Sequence, residues 1–494
     1  MSIDTLFAAL ANRSANNCVF SDGPRQWSAP EVLDEIGRLQ HRLSGVHTLA
    51  VLADNSPAWA MADLAALRAG ITHVPLPGFF SPTQIAHVLE QTGADTVLSD
   101  QPERITALQL GFKSCGEWQG LSCLQRASLA TSLPAGTAKV SFTSGSTGNP
   151  KGACLSADGL LDTAIAVSAR LADLPIQRHL AVLPLALLLE NSAGVYAPLL
   201  RGSTVLLPPL ATLGWHGMAG FDPVLLHASV GKLQAHSVIL VPELLKAWHL
   251  LLAATQQRAP ASLVFAAVGG ARVETASLQA ARALGLPAYQ GYGLTECGSV
   301  VSLNRPGDDG EGVGRPLDHV RITIDEEKIQ ISARAFLGYL GTPPLAATDS
   351  MQAYATGDLG HLDATGHLHL SGRSKNLLIT SFGRNISPEW VEAALLAQPE
   401  ILQAVVGGDA CPFLHAVLVP MPGVNSAALE RAVARANATL PDYARLGGWI
   451  ISAPFTPMNG QATGNGRPLR TAIHHHHAAA IAALYEKEET HELL

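Results

Sequence analysis

Up to about residue 310, short apolar runs alternate with stretches that read as helix. TLAVLADN (48–55) predicts a buried strand ending in a turn, and PAWAMADLAALRAG (57–70) a helix closed by Gly70. Further strands are expected at HVPL (73–76), DTVLSD (95–100), AKVSFTS (138–144), STVLLP (203–208), SVILVP (237–242) and SLVFAAV (262–268). Short apolar strands separated by helices predict an α/β fold built on largely parallel sheets.

The texture then changes. VRITIDEEKIQISARA (320–335) alternates with a period of two around a polar turn at Asp325–Lys328, and GHLDATGHLHLSGR (360–373) reads as a hairpin turning near Gly366. These predict a small antiparallel, barrel-like subdomain attached to the large α/β part. Residues 375–494 carry strands of their own, LQAVVGGD and HAVLVPM, and helices, PEWVEAALLAQ and NSAALERAVARANATL. The expected division is an N-terminal domain over 1–374 and a small α+β C-terminal domain over 375–494.

Composition narrows the function classes. A length of 494 residues accommodates two to four structural units at roughly 100–200 residues each. With 47% hydrophobic and only 15% charged residues, the chain can build large cores and is no disordered polyelectrolyte. A net charge of −8 argues against a nucleic-acid coat or an anionic membrane as the main partner. It leaves room for a local phosphate site made of backbone amides. The most lipid-like stretch, residues 181–200, is interrupted by Pro184, Glu190 and Asn191 and reads as buried elements, not as a membrane span. The N-terminus has no basic region before its short apolar run, and the six cysteines form no C-x-x-C pair. Both features predict a cytoplasmic protein with reduced core thiols.

The strongest chemical signal is SFTSGSTGNPKG, residues 141–152. An apolar strand enters a loop whose glycines, Gly145 and Gly148, let successive N–H groups converge on phosphate oxygens. Thr143, Ser144, Ser146 and Thr147 add hydroxyl donors, and Lys151 a mobile positive charge. It is not a Walker A loop, because Gly152 follows the lysine in place of Ser or Thr.

TSGSTGNPKG resembles the phosphate-loop signature of the adenylate-forming superfamily, which includes the acyl- and aryl-CoA synthetases. The resemblance continues in the same order through NSPAW (55–59), VGGARV (268–273), QGYGLTECG (290–298), VGRPL (313–317), YATGDLG (354–360) and GRSKNLLITSFGRNISPEWVE (372–392). It implies ATP as a substrate, with Gly269, Gly270, Ala271, Gly291 and Gly293 around the adenine. The glycines beside Tyr292 are expected to leave its ring free to stack on the purine. Thr295 would contact phosphate and Glu296 would hold Mg2+, a hard cation that takes carboxylate oxygen. Asp358, read as lying at a strand-to-turn transition, can accept both ribose hydroxyls, with Arg373 as a second ribose contact. Lys375 resembles the hinge about which the C-terminal domain moves, and Ser381 and Gly383 resemble the lining of a CoA tunnel.

The wording of residues 372–392 is nearest to the fatty acyl-CoA synthetase branch. The expected activity is therefore ATP-dependent activation of a small-molecule carboxylic acid, a medium- or long-chain fatty acid, to acyl-AMP, followed by transfer to CoA. The rivals are loading of a carrier protein's phosphopantetheine, aryl-acid activation, and a catalytically impaired nucleotide-binding homologue. Two departures stand out. Leu187 occupies the place of the usual histidine or aromatic gate in PLALLLEN. In TPMNGQATGNGRPLR (456–470), Arg467 stands where the family's C-terminal lysine is usual, with Arg470 as a competing candidate. The run His474–His477 reads as the surface of a terminal helix.

Overall fold

The structure is a computed structural model and describes residues 3–129, 133–143, 150–216, 220–342, 351–380, 385–464 and 466–489. Among these, the largest sheet has nine strands. Its centre is parallel, running through Ala288–Leu294, Phe265–Val268, Ser237–Leu240, Arg178–Leu180, Thr204–Leu206 and Cys18–Ser21. A second sheet of eight strands has a parallel centre of Thr137–Thr143, Thr72–Pro75, Thr48–Leu52 and Thr96–Ser99. Strands that are short, β-branched and buried on both faces are what such centres require.

The antiparallel part is a four-stranded sheet, Arg321–Asp325, Lys328–Ala333, Gln352–Leu362 and Leu368–Arg373. Its tight turns fall at Glu326–Glu327 and at Gly366, all three with positive φ. One expectation fails here. Asp358 lies inside the 11-residue strand Gln352–Leu362, not at its end. Gly357, with φ of 75°, bends that strand beside a register shift, and this aims the Asp358 carboxylate inward. Toward the C-terminus, strands Ile401–Gly407, Leu414–Pro420 and Leu446–Ile451 form a three-stranded sheet flanked by helices Pro388–Leu396 and Ser426–Ala438.

The apolar run 181–200 resolves into an irregular stretch, a π-helical segment Glu190–Tyr196 and a single turn Ala197–Leu200. Asn55 of NSPAW fixes the irregular stretch. Its amide donates to Leu183 O (2.8 Å) and its Oδ1 accepts from Leu185 N (2.8 Å). Next to it, Ser56 caps helix Pro57–Ala69 by accepting from Trp59 N, and Gly70 closes that helix in the left-handed conformation.

A fully buried charge cluster joins the π segment to the second sheet. Asp63 Oδ1 meets Lys139 Nζ at 2.8 Å and His73 Nδ1 at 2.5 Å, while its Oδ2 accepts from Asn191 (2.7 Å) and Tyr196 (2.6 Å). All five residues are at most 1% exposed. The cysteines are less uniform than core thiols would be. Cys154 and Cys297 are buried, Cys115 is exposed, and the remaining three are intermediate. Among the described residues, no helix is long and apolar enough to cross a membrane.

Candidate active site

A cavity of about 830 Å³ opens at the C-terminal ends of the large sheet's parallel strands, beside the C-terminal loop 457–469. Ligand sites of open α/β sheets form at this end of the strands. Gly269, Gly270, Gly291, Tyr292, Gly293 and Thr295 lie in its wall, as do Leu187 and Arg467. Ala271, beside them, is exposed. Gly270 has φ of 93°, which disfavours any side chain there.

The glycines flanking Tyr292 are also required by strand packing. A Cβ at Gly293 would sit 1.6 Å from Ser299 O, and one at Gly291 would sit 2.9 Å from Leu303 Cδ1 and 3.0 Å from Ser302 O. They let strand Ser299–Leu303 approach closely. The ring itself is anchored, because Tyr292 Oη donates to Asp358 Oδ2 at 2.6 Å. On the other side, Arg373 Nε donates to Asp358 Oδ1 at 2.7 Å, so the carboxylate is clasped from both sides and is 5% exposed. Burial and the Asp358 charge push the Tyr292 pKa well up, keeping its proton in place. Burial works to lower the Arg373 pKa, and Asp358 overrules it, so the net shift is upward.

Arg467 reaches the cavity on a loop that holds itself in shape. Thr463 N donates to Arg467 O (2.8 Å), Arg467 N donates to Thr463 Oγ1 (3.1 Å), and Leu469 N donates to Gln461 O (2.8 Å). The loop docks on the N-terminal part, where a Cβ at Gly464 would lie 3.1 Å from the Phe79 ring. The Arg467 pKa is lowered by the surrounding protein and then by the Arg373 and Arg470 charges, with Glu389 and Asp358 opposing. Three arginines thus converge on one corner, a field suited to an anion. Arg470 already has partners. Its guanidinium forks onto both oxygens of Glu392 and lies 3.4 Å from Glu389.

Glu296 faces a neighbouring recess of about 270 Å³ with Tyr339 and Tyr354. Tyr339 Oη donates to Glu296 Oε1 at 2.5 Å and lies 3.0 Å from Tyr354 Oη. Burial first, then the Glu296 hydrogen bond, raise the Tyr339 pKa, so it remains a donor. Lys151 opens strand Lys151–Ser156, and its Nζ lies 6.0 Å from the centre of the Tyr339 ring. Thr143 ends the strand before the loop. Ser144, Gly145, Ser146, Thr147 and Gly148, and likewise Ser381 and Gly383, lie outside the described residues. Lys375 is exposed in a turn after strand Leu368–Arg373, closed by Asn376 N donating to Arg373 O. The sequence reading did not find Tyr339, which no motif surrounds. Tyr354 stands within YATGDLG and could have been flagged.

The sequence profile of the AMP-binding enzyme family matches residues 7–334, and that of the AMP-binding enzyme C-terminal domain matches residues 375–489. The chain belongs to the AMP-binding enzyme family. Among curated relatives, the long-chain-fatty-acid–CoA ligase FadD15 of Mycobacterium bovis is 31% identical over 238 residues. That match covers 42% of this AMP-binding enzyme and 39% of the relative, so the chain spans about two fifths of that relative's length. Among solved structures, the anthranilate CoA ligase AuaEII in complex with anthranoyl-AMP superposes with a TM-score of 0.78 at 18% identity, covering 97% of this chain and 98% of that one. The o-succinylbenzoate coenzyme A synthetase of Bacillus subtilis, in complex with ATP and magnesium ion, gives 0.73 at 21% identity, covering 94% and 98%. At these identities the structural matches establish the fold.

Proposed function

We propose that this AMP-binding enzyme activates an aliphatic carboxylic acid of medium or greater length as its acyl-AMP and then passes the acyl group to CoA. The observation that carries the reading is the Tyr292–Asp358–Arg373 clasp at the mouth of a deep apolar cavity, with Arg467 brought to the same mouth. In the first step a carboxylate oxygen bonds to the α-phosphorus of ATP and the bond to pyrophosphate breaks. In the second, a thiolate sulfur bonds to the acyl carbon and AMP departs with the electron pair.

Each side chain has a part. Asp358 accepts the ribose hydroxyls while Tyr292 and Arg373 hold its carboxylate still. Thr295, Lys151 and the loop after Thr143 contact the phosphates. Arg467 supplies positive charge where carboxylate and α-phosphate, both anionic, must approach. Magnesium would be held by Glu296, since one carboxylate with substrate phosphates is its usual setting, and when bound it offsets the charge of the departing phosphates. In this reading Lys375 marks the division between the two domains and the hinge of the second, and the thiol's path is assigned to Ser381 and Gly383, which lie outside the described residues.

The relatives' names span fatty, succinylbenzoic and anthranilic acids. The apolar wall of Leu183, Leu187, Val167, Leu171 and Phe265 favours the fatty acid. The test is pyrophosphate release across fatty, aryl and amino acids, with and without CoA or a carrier protein. Each buried methylene is worth about 0.8 kcal/mol, so kcat/KM should climb about fourfold per methylene until the cavity fills. A clear preference for benzoates would sink the fatty-acid reading. Acyl-AMP that moves only to a carrier protein would sink the CoA step.

A further inference from the structure

The cavity runs from the nucleotide corner between the large parallel sheet and a helical layer formed by helix Ala157–Arg170 and the π segment. Its wall is apolar over most of this length. Among the polar groups in that wall, one station forms a buried, hydrogen-bonded cluster. His179 and Ser237 stand opposite each other on neighbouring parallel strands, and both face the cavity. His179 Nδ1 lies 2.9 Å from Ser237 Oγ, and His179 Nε2 lies 2.9 Å from Glu190 Oε1. Glu190 Oε2 in turn accepts from Leu183 N at 3.0 Å.

The station is built, not incidental. Glu190 is 0% exposed, on the first turn of the π-helical segment. Gly194, one turn further, makes the room. A Cβ there would lie 2.0 Å from Glu190 Oε1 and 2.8 Å from His179 Nε2. A π turn is rare and frequent at functional sites, and here it turns a buried carboxylate toward a buried imidazole.

With His179 as the neutral imidazole, its two contacts set the direction of each proton. The Glu190 carboxylate can only accept, so Nε2 of His179 carries hydrogen and Nδ1 carries the lone pair. The Ser237 hydroxyl therefore donates to Nδ1, and its oxygen is left to the cavity as an acceptor. Its depth follows from strand register. Ser237 is level with Phe265, and Gly269 at the nucleotide corner lies four residues further along that strand. At ~3.3 Å per residue this is about 13 Å, the reach of a medium-length acyl chain and well beyond a single benzoate ring.

We propose that the acid activated here carries a hydroxyl group on its aliphatic chain at the depth of Ser237, and that Ser237, oriented by His179 and Glu190, selects it. This rests on the cavity being the acyl site. A hydroxyl at that depth donates to the Ser237 oxygen, whereas an unsubstituted chain covers the oxygen and gives it nothing in return. Sites that hydrogen-bond a substrate hydroxyl discriminate far more sharply than sites that count methylenes.

The experiment uses the full-length enzyme, pyrophosphate release, and dodecanoic acid beside its series of monohydroxy positional isomers. One isomer, or two adjacent ones, should exceed dodecanoic acid in kcat/KM by tenfold or more. Ser237→Ala should bring that ratio to about one, and Ser237→Thr, which keeps the hydroxyl, should restore it. If dodecanoic acid is activated and no isomer is preferred, the hydroxyl proposal fails while the adenylation reading stands. A preference that survives Ser237→Ala removes Ser237 as the selector. No pyrophosphate release with any acid overturns the adenylation reading and this proposal together. Should Ser237→Ala not fold, the isomer profile of the unaltered enzyme decides alone.

Discussion

Arg470 and Glu392 are joined fork to fork, one guanidinium nitrogen on each carboxylate oxygen, across 78 positions of sequence. Burial pushes the Glu392 pKa up, and Arg470 is the first group opposing it. The pair leaves Arg467 as the cation at the cavity mouth. Arg470→Ala should therefore lower stability by about 3 kcal/mol, the cost of leaving a largely buried carboxylate without its partner. It should act on the melting temperature before it acts on chemistry. Arg467→Ala should do the opposite, leaving the melting temperature alone and slowing acyl-AMP formation by about 10²-fold. Thioester formation from supplied acyl-AMP should be spared, and Arg467→Lys should retain activity or gain it. Calorimetry together with separate assays of the two half-reactions distinguishes these roles. Loss of adenylation only in a well-folded Arg470→Ala would reverse the assignment.

Glu296→Gln removes the charge proposed to hold magnesium and keeps the shape. The amide oxygen can still accept from Tyr339, so the recess should survive. Acyl-AMP formation should fall sharply, and the magnesium concentration for half-maximal rate should rise. A magnesium titration identical to that of the unaltered enzyme would remove Glu296 from the metal site.

Lys246, on helix Pro242–Thr255, reaches into the C-terminal part. Its Nζ donates to Leu396 O (2.6 Å), Gln398 O (2.7 Å) and Ile401 O (2.5 Å) around the end of helix Pro388–Leu396. Three carbonyls on one ammonium, at the negative end of a helix, hold the C-terminal part where Arg467 meets the cavity. Lys246→Met should slow acyl-AMP formation several-fold and leave thioester formation from supplied acyl-AMP intact. Equal slowing of both steps would mean that Lys246 merely supports the fold.

The Asp63–Lys139 cluster predicts a pH dependence. Burial alone would raise the Asp63 pKa, and Lys139 overrules it, holding the carboxyl far below its usual range. Burial lowers the His73 pKa as well, against the pull of Asp63. Both groups bind a proton more readily once unfolded. Their contribution is complete above the unfolded values, about 6.5 for His and 3.9 for Asp. It is lost in that order as pH falls. Urea midpoints measured from pH 7 down to pH 3 should decline accordingly. Lys139→Met alone should cost about 3–5 kcal/mol at pH 7. The double change Asp63→Asn with Lys139→Met should recover much of that and flatten the decline below pH 4. An unchanged slope there would show that other carboxylates govern acid unfolding.

These relationships also mark how far the sequence could be read. Period-two and strand–helix alternation located the sheets, because each register is written in adjacent residues. Phosphate-loop, GYGLTE and TGD segments were readable because their chemistry is local. Partnerships across distance were not. Nothing near Arg470 names Glu392, and nothing near Lys139 names Asp63. The apolar run 181–200 has a composition that suits strand, helix or loop alike, so its π turn and the His179–Glu190 contact appear only when the chain is folded. Gly-Asp usually marks a strand end, whereas Gly357 bends a strand that continues through Asp358 to Leu362.

The loop that carries Arg467 also supplies Pro457, Met458, Ala462 and Gly464 to the cavity wall. On the proposed function, the roof over the acid and the cation that activates it are therefore one piece of chain. An acid can be sheltered and not activated only if the roof stays raised, and a chain too long for the chamber raises it. Such an acid would bind well and react poorly. The chamber then works as a ruler read at the moment of catalysis: past the limiting length kcat should collapse while KM goes on improving.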